Sequence, residues 1–289
     1  MQERFGLSTR TACGLVNLSR TSFAYRPREK PDEAPLRKRL TELAQKRRRF
    51  GCRRLHVLLR REGVMINHKR TERIYREEGL SLRIRRRKKM ASHVRTELPR
   101  AGHANHIWSM DFVADNLANG RRLKVLPVVD AYTRRCHRIE VDSSINGSRV
   151  CRVLTEISER EGLPEAILVD NGPEFIGQAL DAWAYRRGVK LHFITPGRPV
   201  ENAYIESFNG RLRDECLNTH YFAGMQDAKR KIEAWRIDYN KHRPHSSLDY
   251  MTPEEFARHE SAKESTAIAV DSLSNNAGHS NYHWYNKRG

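Results

Sequence analysis

Cysteine is scarce and scattered: Cys13, Cys52, Cys136, Cys151 and Cys216 are the only five, and none forms a Cys-x-x-Cys pair. That argues against a zinc ribbon or a disulfide-stapled secreted scaffold and fits reduced thiols in a cytosolic protein. No apolar stretch approaches the ~18 residues a membrane helix needs. The opening Met1-Gln2-Glu3-Arg4-Phe5-Gly6 lacks the basic-then-apolar layout of a secretory signal. Acidic residues are few in one region above all. Residues 1–100 hold 29 Lys/Arg against 10 Asp/Glu, the entire net charge of +19, whereas residues 101–289 hold 25 of each. A basic segment attracts a polyanion by releasing condensed counterions, so nucleic acid is the leading partner.

What is present falls into regions. The length of 289 residues suits about two domains. Residues 1–35 read as a short helical segment and linker, with Ser19 as a helix cap and Pro27 to Pro35 connecting. Residues 36–82 carry three helical patterns, Leu36–Arg48, Arg53–Glu62 and Lys69–Glu78. Leu55, Leu58 and Leu59 give the second an apolar stripe, Gly63 stops it, and Asn67 caps the third. This order reads as a helix-turn-helix. Arg53, Arg54, Asn67, His68, Lys69, Arg70 and Arg73 then supply side chains for phosphates and base edges. Residues 83–104 form a basic linker in which Arg85, Arg86, Arg87, Lys88 and Lys89 can follow phosphates or a minor groove.

From residue 105 the texture changes to short strands alternating with helices. The expected strands are His106–Val113, Arg122–Asp130, Thr133–Val141, Ala166–Val169 and Lys190–Phe193. The expected helices are Ser148–Glu161, Glu174–Arg187, Glu201–Leu217 and Gln226–Asn240. This is an α/β order built on one mixed sheet. Thr252-Pro253-Glu254-Glu255 is a capping box that opens a last helix of the 105–262 core, and residues 263–289 read as a flexible tail.

Three acids stand out in the core. Asp111 lies in a strand pattern, although aspartate is a poor strand former and a solvated sheet face would also hold it. Asp170 ends an apolar strand, where α/β sheets place ligands, but Asp-Asn-Gly-Pro is equally good turn chemistry. Glu206 shares a helical stripe with Asn202, Asn209 and Arg213, a pattern any amphipathic helix can show. Glu174 and Glu201 compete with it as the third acid. Both open helices, where the dipole alone explains an acid, whereas Glu206 is mid-helix with no capping role. Two or three carboxylates from separate elements suit Mg²⁺, a hard cation that prefers oxygen ligands. Thirty-five residues separate Asp170 from Glu206.

These acids stand within Trp108-Ser109-Met110-Asp111-Phe112, Val169-Asp170-Asn171-Gly172-Pro173-Glu174-Phe175 and Pro199-Val200-Glu201-Asn202-Ala203-Tyr204-Ile205-Glu206-Ser207-Phe208-Asn209-Gly210. Together with Arg213 they resemble the DDE transposases and retroviral-type integrases. More narrowly, they resemble the second-frame (OrfB) transposases of the large insertion-sequence family numbered three. Tyr239-Asn240, Arg243-Pro244-His245-Ser246-Ser247-Leu248 and Thr252-Pro253-Glu254-Glu255-Phe256 are similar to that group's C-terminal signature. Gly51-Cys52-Arg53-Arg54 and Asn67-His68-Lys69-Arg70 resemble its helix-turn-helix. Two departures, Cys52 in place of a frequent aromatic and Val169 in place of a frequent serine, leave the acids untouched. The His-His-Cys-Cys zinc module of retroviral integrases is absent, which points to the bacterial group.

The resemblance implies a ribonuclease H-like mixed-sheet core behind an all-α helix-turn-helix region. It implies Asp111, Asp170 and Glu206 as ligands of Mg²⁺, with Mn²⁺ as a substitute, and Arg213 supporting the DNA or the site. Asn202 joins the expected DNA contacts. The implied reaction is hydrolytic cleavage at the element's ends, then attack of the 3′-OH on another phosphodiester, in the bacterial cytoplasm. The implied partners are duplex DNA, further copies of the chain and the upstream-frame (OrfA) product. A nuclease of the same fold and a DNA-binding regulator with an inert core are the rival readings.

Overall fold

The computed structural model describes residues 5–25, 32–82, 101–194, 203–263 and 266. The basic run Arg85 to Lys89, Glu201, Asn202 and most of the tail expected over 263–289 lie outside the described residues. The chain divides into two compact units, Met1–Ser81 and Leu82–Gly289.

In the first unit, α1 (Thr9–Leu15) and α2 (Arg20–Ala24) are capped by Ser8 and Ser19, whose side chains accept from the Thr11 and Ser22 amides. Three longer helices follow: α3 (Glu33–Lys46), α4 (Cys52–Arg61) and α5 (His68–Glu77). The expected linker to Pro35 is shorter than the sequence suggested. Pro35 sits in the first turn of α3, where its missing N–H costs no intrahelical bond. Leu36, Leu40 and Leu43 of α3 pack with Leu55 and Leu59 of α4 and Ile74 and Tyr75 of α5 in one core. The side chain of Asn67 accepts from the Lys69 amide at 2.9 Å, as the capping pattern anticipates. His56 and the buried Thr71 join α4 to α5 by a 2.9 Å side-chain hydrogen bond.

The second unit is a mixed sheet with helices on both faces. Its strands are β1 (Ile107–Met110), β2 (Val113–Asn116), β3 (Arg122–Asp130), β4 (Cys136–Asp142), β5 (Ala166–Val169) and β6 (Lys190–Phe193). β3 pairs antiparallel with β1, β2 and β4, while β5 runs parallel to β1 and β6 parallel to β5. The β3 side chains alternate as a period of two requires. Leu126 and Val128 pack with α6 (Gly147–Glu161) and α7 (Gln178–Arg187). Val125 and Val129 pack with α8 (Ala203–Glu215) and α9 (Met225–Lys241). A final helical stretch over 253–263 opens with the expected capping box, Thr252 N–H to Glu255 Oε2 at 2.7 Å and Glu255 N–H to Thr252 Oγ1 at 3.2 Å.

Four elements differ from the sequence reading. α8 is described as Ala203–Glu215 instead of the expected Glu201–Leu217, so Glu206, expected mid-helix, lies in its first described turn. The first expected strand is interrupted at Asp111 and Phe112, with β1 and β2 holding one register along β3 on either side. That register places Asp111 across from Pro127. The Ala131 N–H bonds the Ile107 carbonyl at 2.9 Å, so the odd-numbered β3 positions face this partner. Pro127 occupies such a position and has no N–H to give Asp111, so the ladder loses a bond there. The third strand begins at Cys136 rather than Thr133, because residues 131–133 form a tight turn. The carboxylate of the buried Asp130 accepts from the Tyr132 and Thr133 amides, and Arg134 adopts a φ of 62°. α7 begins at Gln178, not Glu174, because Pro173 to Gly177 turn before the helix starts.

Candidate active site

Strand pairing places the first two acids side by side. β1 and β5 align Ile107 with Ala166 and Ser109 with Leu168, so the same offset brings Asp111 level with Asp170 at the C-terminal ends of two neighbouring parallel strands. Strands so paired run about 4.8 Å apart. Both carboxylates are half-buried. Asp170 is held by the Gly172 amide, which donates to Oδ1 at 3.0 Å. A Cβ on Gly172 would lie 2.9 Å from that oxygen, so any other residue would push on the carboxylate.

α8 lays its polar flank over this pair. Its buried Asn209 donates from Nδ2 to Asp111 Oδ2 at 2.9 Å, and Glu206 stands one turn earlier on the same stripe, exposed. Burial pushes the Asp111 carboxyl up, the Asp170 charge adds to this, and the Asn209 hydrogen bond pulls it back down. The Glu206 charge contributes a smaller upward push. Asp111 therefore feels both other acids. Among the described residues none of the three has an ion-pair partner, and no three His, Cys, Asp or Glu side chains converge closely enough to hold a metal as they stand.

Glu174 is accounted for differently. It pairs with Lys124, whose Nζ lies 4.0 Å from the centre of the Phe112 ring, and this lysine holds its carboxyl below the usual range. Phe112 in turn stacks on Phe175 at 5.0 Å. Arg213 is exposed and reaches the Ala114 carbonyl at 3.4 Å, on the β2 side of the acids. Asn209 was on the sequence stripe without being singled out. Its signal was a polar residue on the same helical flank as an acid, three positions on.

In the helical unit the expected DNA-contacting residues separate into two groups. Arg53, Asn67, His68 and Lys69 are exposed and Arg54 is half-buried. Arg70 instead makes a two-pronged pair with Asp32 at 2.7 and 2.9 Å, and Arg73 pairs with Glu33 and Glu77.

Three family profiles match: an HTH-like domain over 30–88 and integrase core domains over 101–199 and 187–253. The 31.7 kDa protein of insertion element IS407 from Burkholderia multivorans is 48% identical over 94% of this chain and 99% of its own length. The 39.2 kDa protein of insertion element IS476 from Xanthomonas euvesicatoria is 48% identical over 89% of this chain and 74% of its own. The fold matches a chain of the simian T-cell lymphotropic virus intasome, solved in complex with PP2A regulatory subunit B56 gamma. That match has a TM-score of 0.51 and 17% identity, over 75% of this chain and 74% of the other. With its HTH-like domain ahead of a ribonuclease H-like integrase core, the chain belongs to the insertion-element transposases of the DDE/integrase superfamily.

Proposed function

We propose that this transposase cuts DNA at the ends of its element and joins the freed 3′-OH to another phosphodiester, with Asp111, Asp170 and Glu206 holding Mg²⁺ or, in its place, Mn²⁺. The observation that carries this reading is the in-register pair Asp111 and Asp170 beneath the α8 flank that bears Glu206. The donor set fits a hard divalent cation. It offers carboxylate oxygens from three elements, repelling one another and without a counter-charge among the described residues. When bound, such a cation activates the attacking oxygen and stabilises the leaving one.

The chain's own residues do the rest. Asn209 orients Asp111 through Oδ2, the Gly172 amide fixes Asp170, and Lys124 engages Glu174 in an ion pair. Arg213, beside β2, is placed to steady DNA approaching the acids. Residues 36–82 serve as the DNA-binding domain, with residues 1–35 ahead of it, the 83–104 segment running along phosphates, residues 105–262 as the catalytic core and 263–289 as its tail. Arg53, Arg54, His68 and Lys69 lead the contacts, and Arg70 and Arg73 join once their acids release them. Asn202 and Arg85 to Lys89 complete the set. The assembly works in the bacterial cytoplasm as several copies on DNA, together with the upstream-frame (OrfA) product.

A labelled duplex carrying an element end, incubated with the chain and the upstream-frame product, tests this. With Mg²⁺ a joined product is expected, and with EDTA none. Hydrolysis without joining would make the chain a nuclease. Binding without either reaction would make it a regulator.

A further inference from the structure

α8 has a second polar flank. At ~100° per residue, Glu206, Asn209 and Arg213 share one side of the helix, while Tyr204, Ser207, Arg211 and Glu215 share the other. Ile205, Phe208 and Leu212 are buried between them. On that second flank three guanidinium groups gather. Arg134, from the β3–β4 turn, lies over the Tyr204 ring at 3.9 Å. Arg211 and Arg243 approach from α8 and the end of α9, and Arg134 and Arg243 both bear electrostatically on Arg211 and on the Tyr239 hydroxyl.

The charges there do not balance. Arg243 pairs with Glu215 at 2.7 Å, but among the described residues neither Arg134 nor Arg211 has an ion-pair partner. Among the described residues Arg211 donates to the carbonyl and hydroxyl of Ser207, at 2.8 and 2.6 Å, and its burial together with the nearby Arg243 weakens its hold on the proton. Among the described residues, Nη1 of Arg134 is buried with no hydrogen-bond partner. Taking a guanidinium from water without a counter-ion is costly, and an orphaned buried donor adds to that cost. The backbone at Arg134 sits at a φ of 62°, a conformation that L residues seldom adopt.

We propose that this flank of α8 is a phosphate site, in which Arg134 and Arg211 clasp a backbone phosphate of duplex DNA over a floor made by Tyr239 and Arg243. Planar guanidinium groups match phosphate oxygens in a two-pronged geometry that ammonium groups cannot. Tyr239 and Arg243 are buried, whereas Arg134, Tyr204 and Arg211 are half-exposed, so the notch is open on one side. An open notch suits a phosphate displayed on a polymer better than a free ion, which would exchange with water there. The acids lie across the helix, a body ~10 Å wide. The phosphate held here therefore belongs to a stretch of DNA other than the reacting bond. This rests on the DNA reading given above.

Arginine-selective dicarbonyl labelling of the full chain, read by mass spectrometry without Mg²⁺, tests the site. Saturating duplex should slow modification of Arg134 and Arg211 several-fold, while inorganic phosphate at the same phosphate concentration should not. No slowing by duplex would overturn the proposal, and equal slowing by phosphate alone would overturn the assignment to DNA. In the full chain, Arg134→Gln with Arg211→Gln should lower the slope of log affinity against log salt by about 0.9, one phosphate's worth. An unchanged slope, with an unchanged melting temperature showing that the variant is folded, would also overturn it. Neither readout needs turnover, so a chain that binds DNA without cutting it would fail the proposed function and still pass both.

Discussion

In the helical unit Glu33 sits between Arg37 and Arg73 with Arg70 close by, whereas in the core Asp111 faces Asp170 and Glu206 with the neutral amide of Asn209 beside it. The effects on the two acids have opposite signs. The arginines hold the Glu33 carboxyl down at about 2, and burial and like charges push the Asp111 carboxyl up. The first arrangement favours folding, and the second opposes it. Uncompensated like charge in a stable fold is a signature of a site rather than of a scaffold.

The largest effect expected from breaking this contrast comes from removing one core acid. Glu206→Gln should cut Mg²⁺-dependent cleavage and joining by ~10³-fold or more, about 4 kcal/mol of transition-state stabilisation, and leave DNA binding nearly intact. Glu174→Gln should cost less, because Glu174 is engaged with Lys124. Retained joining in Glu206→Gln, with loss in Glu174→Gln or Glu201→Gln, would reassign the third acid. Asp111→Asn should be equally inactive yet melt at a higher temperature than the parent, since it removes a half-buried charge repelled by its neighbours.

Separating the two regions comes next in size. A 101–289 fragment should bind duplex DNA far more weakly than the full chain, whose affinity should fall steeply with salt, because the +19 excess lies in residues 1–100. Equal affinity at moderate salt would remove the N-terminal region from DNA binding. Asn209→Ala is expected to lower turnover by ~10–100-fold, the range seen when a partner that orients a metal ligand is lost. Parent-like turnover would show that Asp111 needs no such partner.

The smallest effect belongs to the helical unit. A carboxyl depressed in the folded state adds stability above its unfolded pKa and loses it as pH falls through the folded value. The Glu33 contribution should therefore fade between about 4.5 and about 2, and Glu33→Gln should flatten that part of the acid-unfolding curve. The same change takes one acid from Arg73 and from Arg70, which keep Glu77 and Asp32, so non-specific DNA affinity should rise slightly. A fall in affinity would mean that the acids position those arginines instead of occupying them.

Much of this was legible in the residues. Helical patterning located α3, α4 and α5, with the apolar stripe Leu55, Leu58 and Leu59 in α4, and Ser19, Asn67 and Thr252 marked helix starts that the structure confirms. The break at Asp111 was not legible, because it depends on which residue lies across the sheet, and Pro127 is 16 positions away in sequence. Glu174 reads as a helix opener explained by the dipole alone, but its ion pair to Lys124, 50 residues distant, belongs to tertiary structure. The Asp111–Asn209 bond spans 98 residues. Spacing had already put Asn209 on the right flank, so only its partner was hidden.

α8 carries Glu206 on one flank and Arg211 on the other, and a helix moves as a rod. Any tilt or rotation that helps one flank engage its ligand is imposed on the other at the same moment. Linkage then requires reciprocity: by whatever factor occupancy of the acids changes affinity at the arginines, occupancy of the arginines changes cation affinity at the acids. With the two proposed sites on its opposite flanks, the helix would act as a thermodynamic coupler between them.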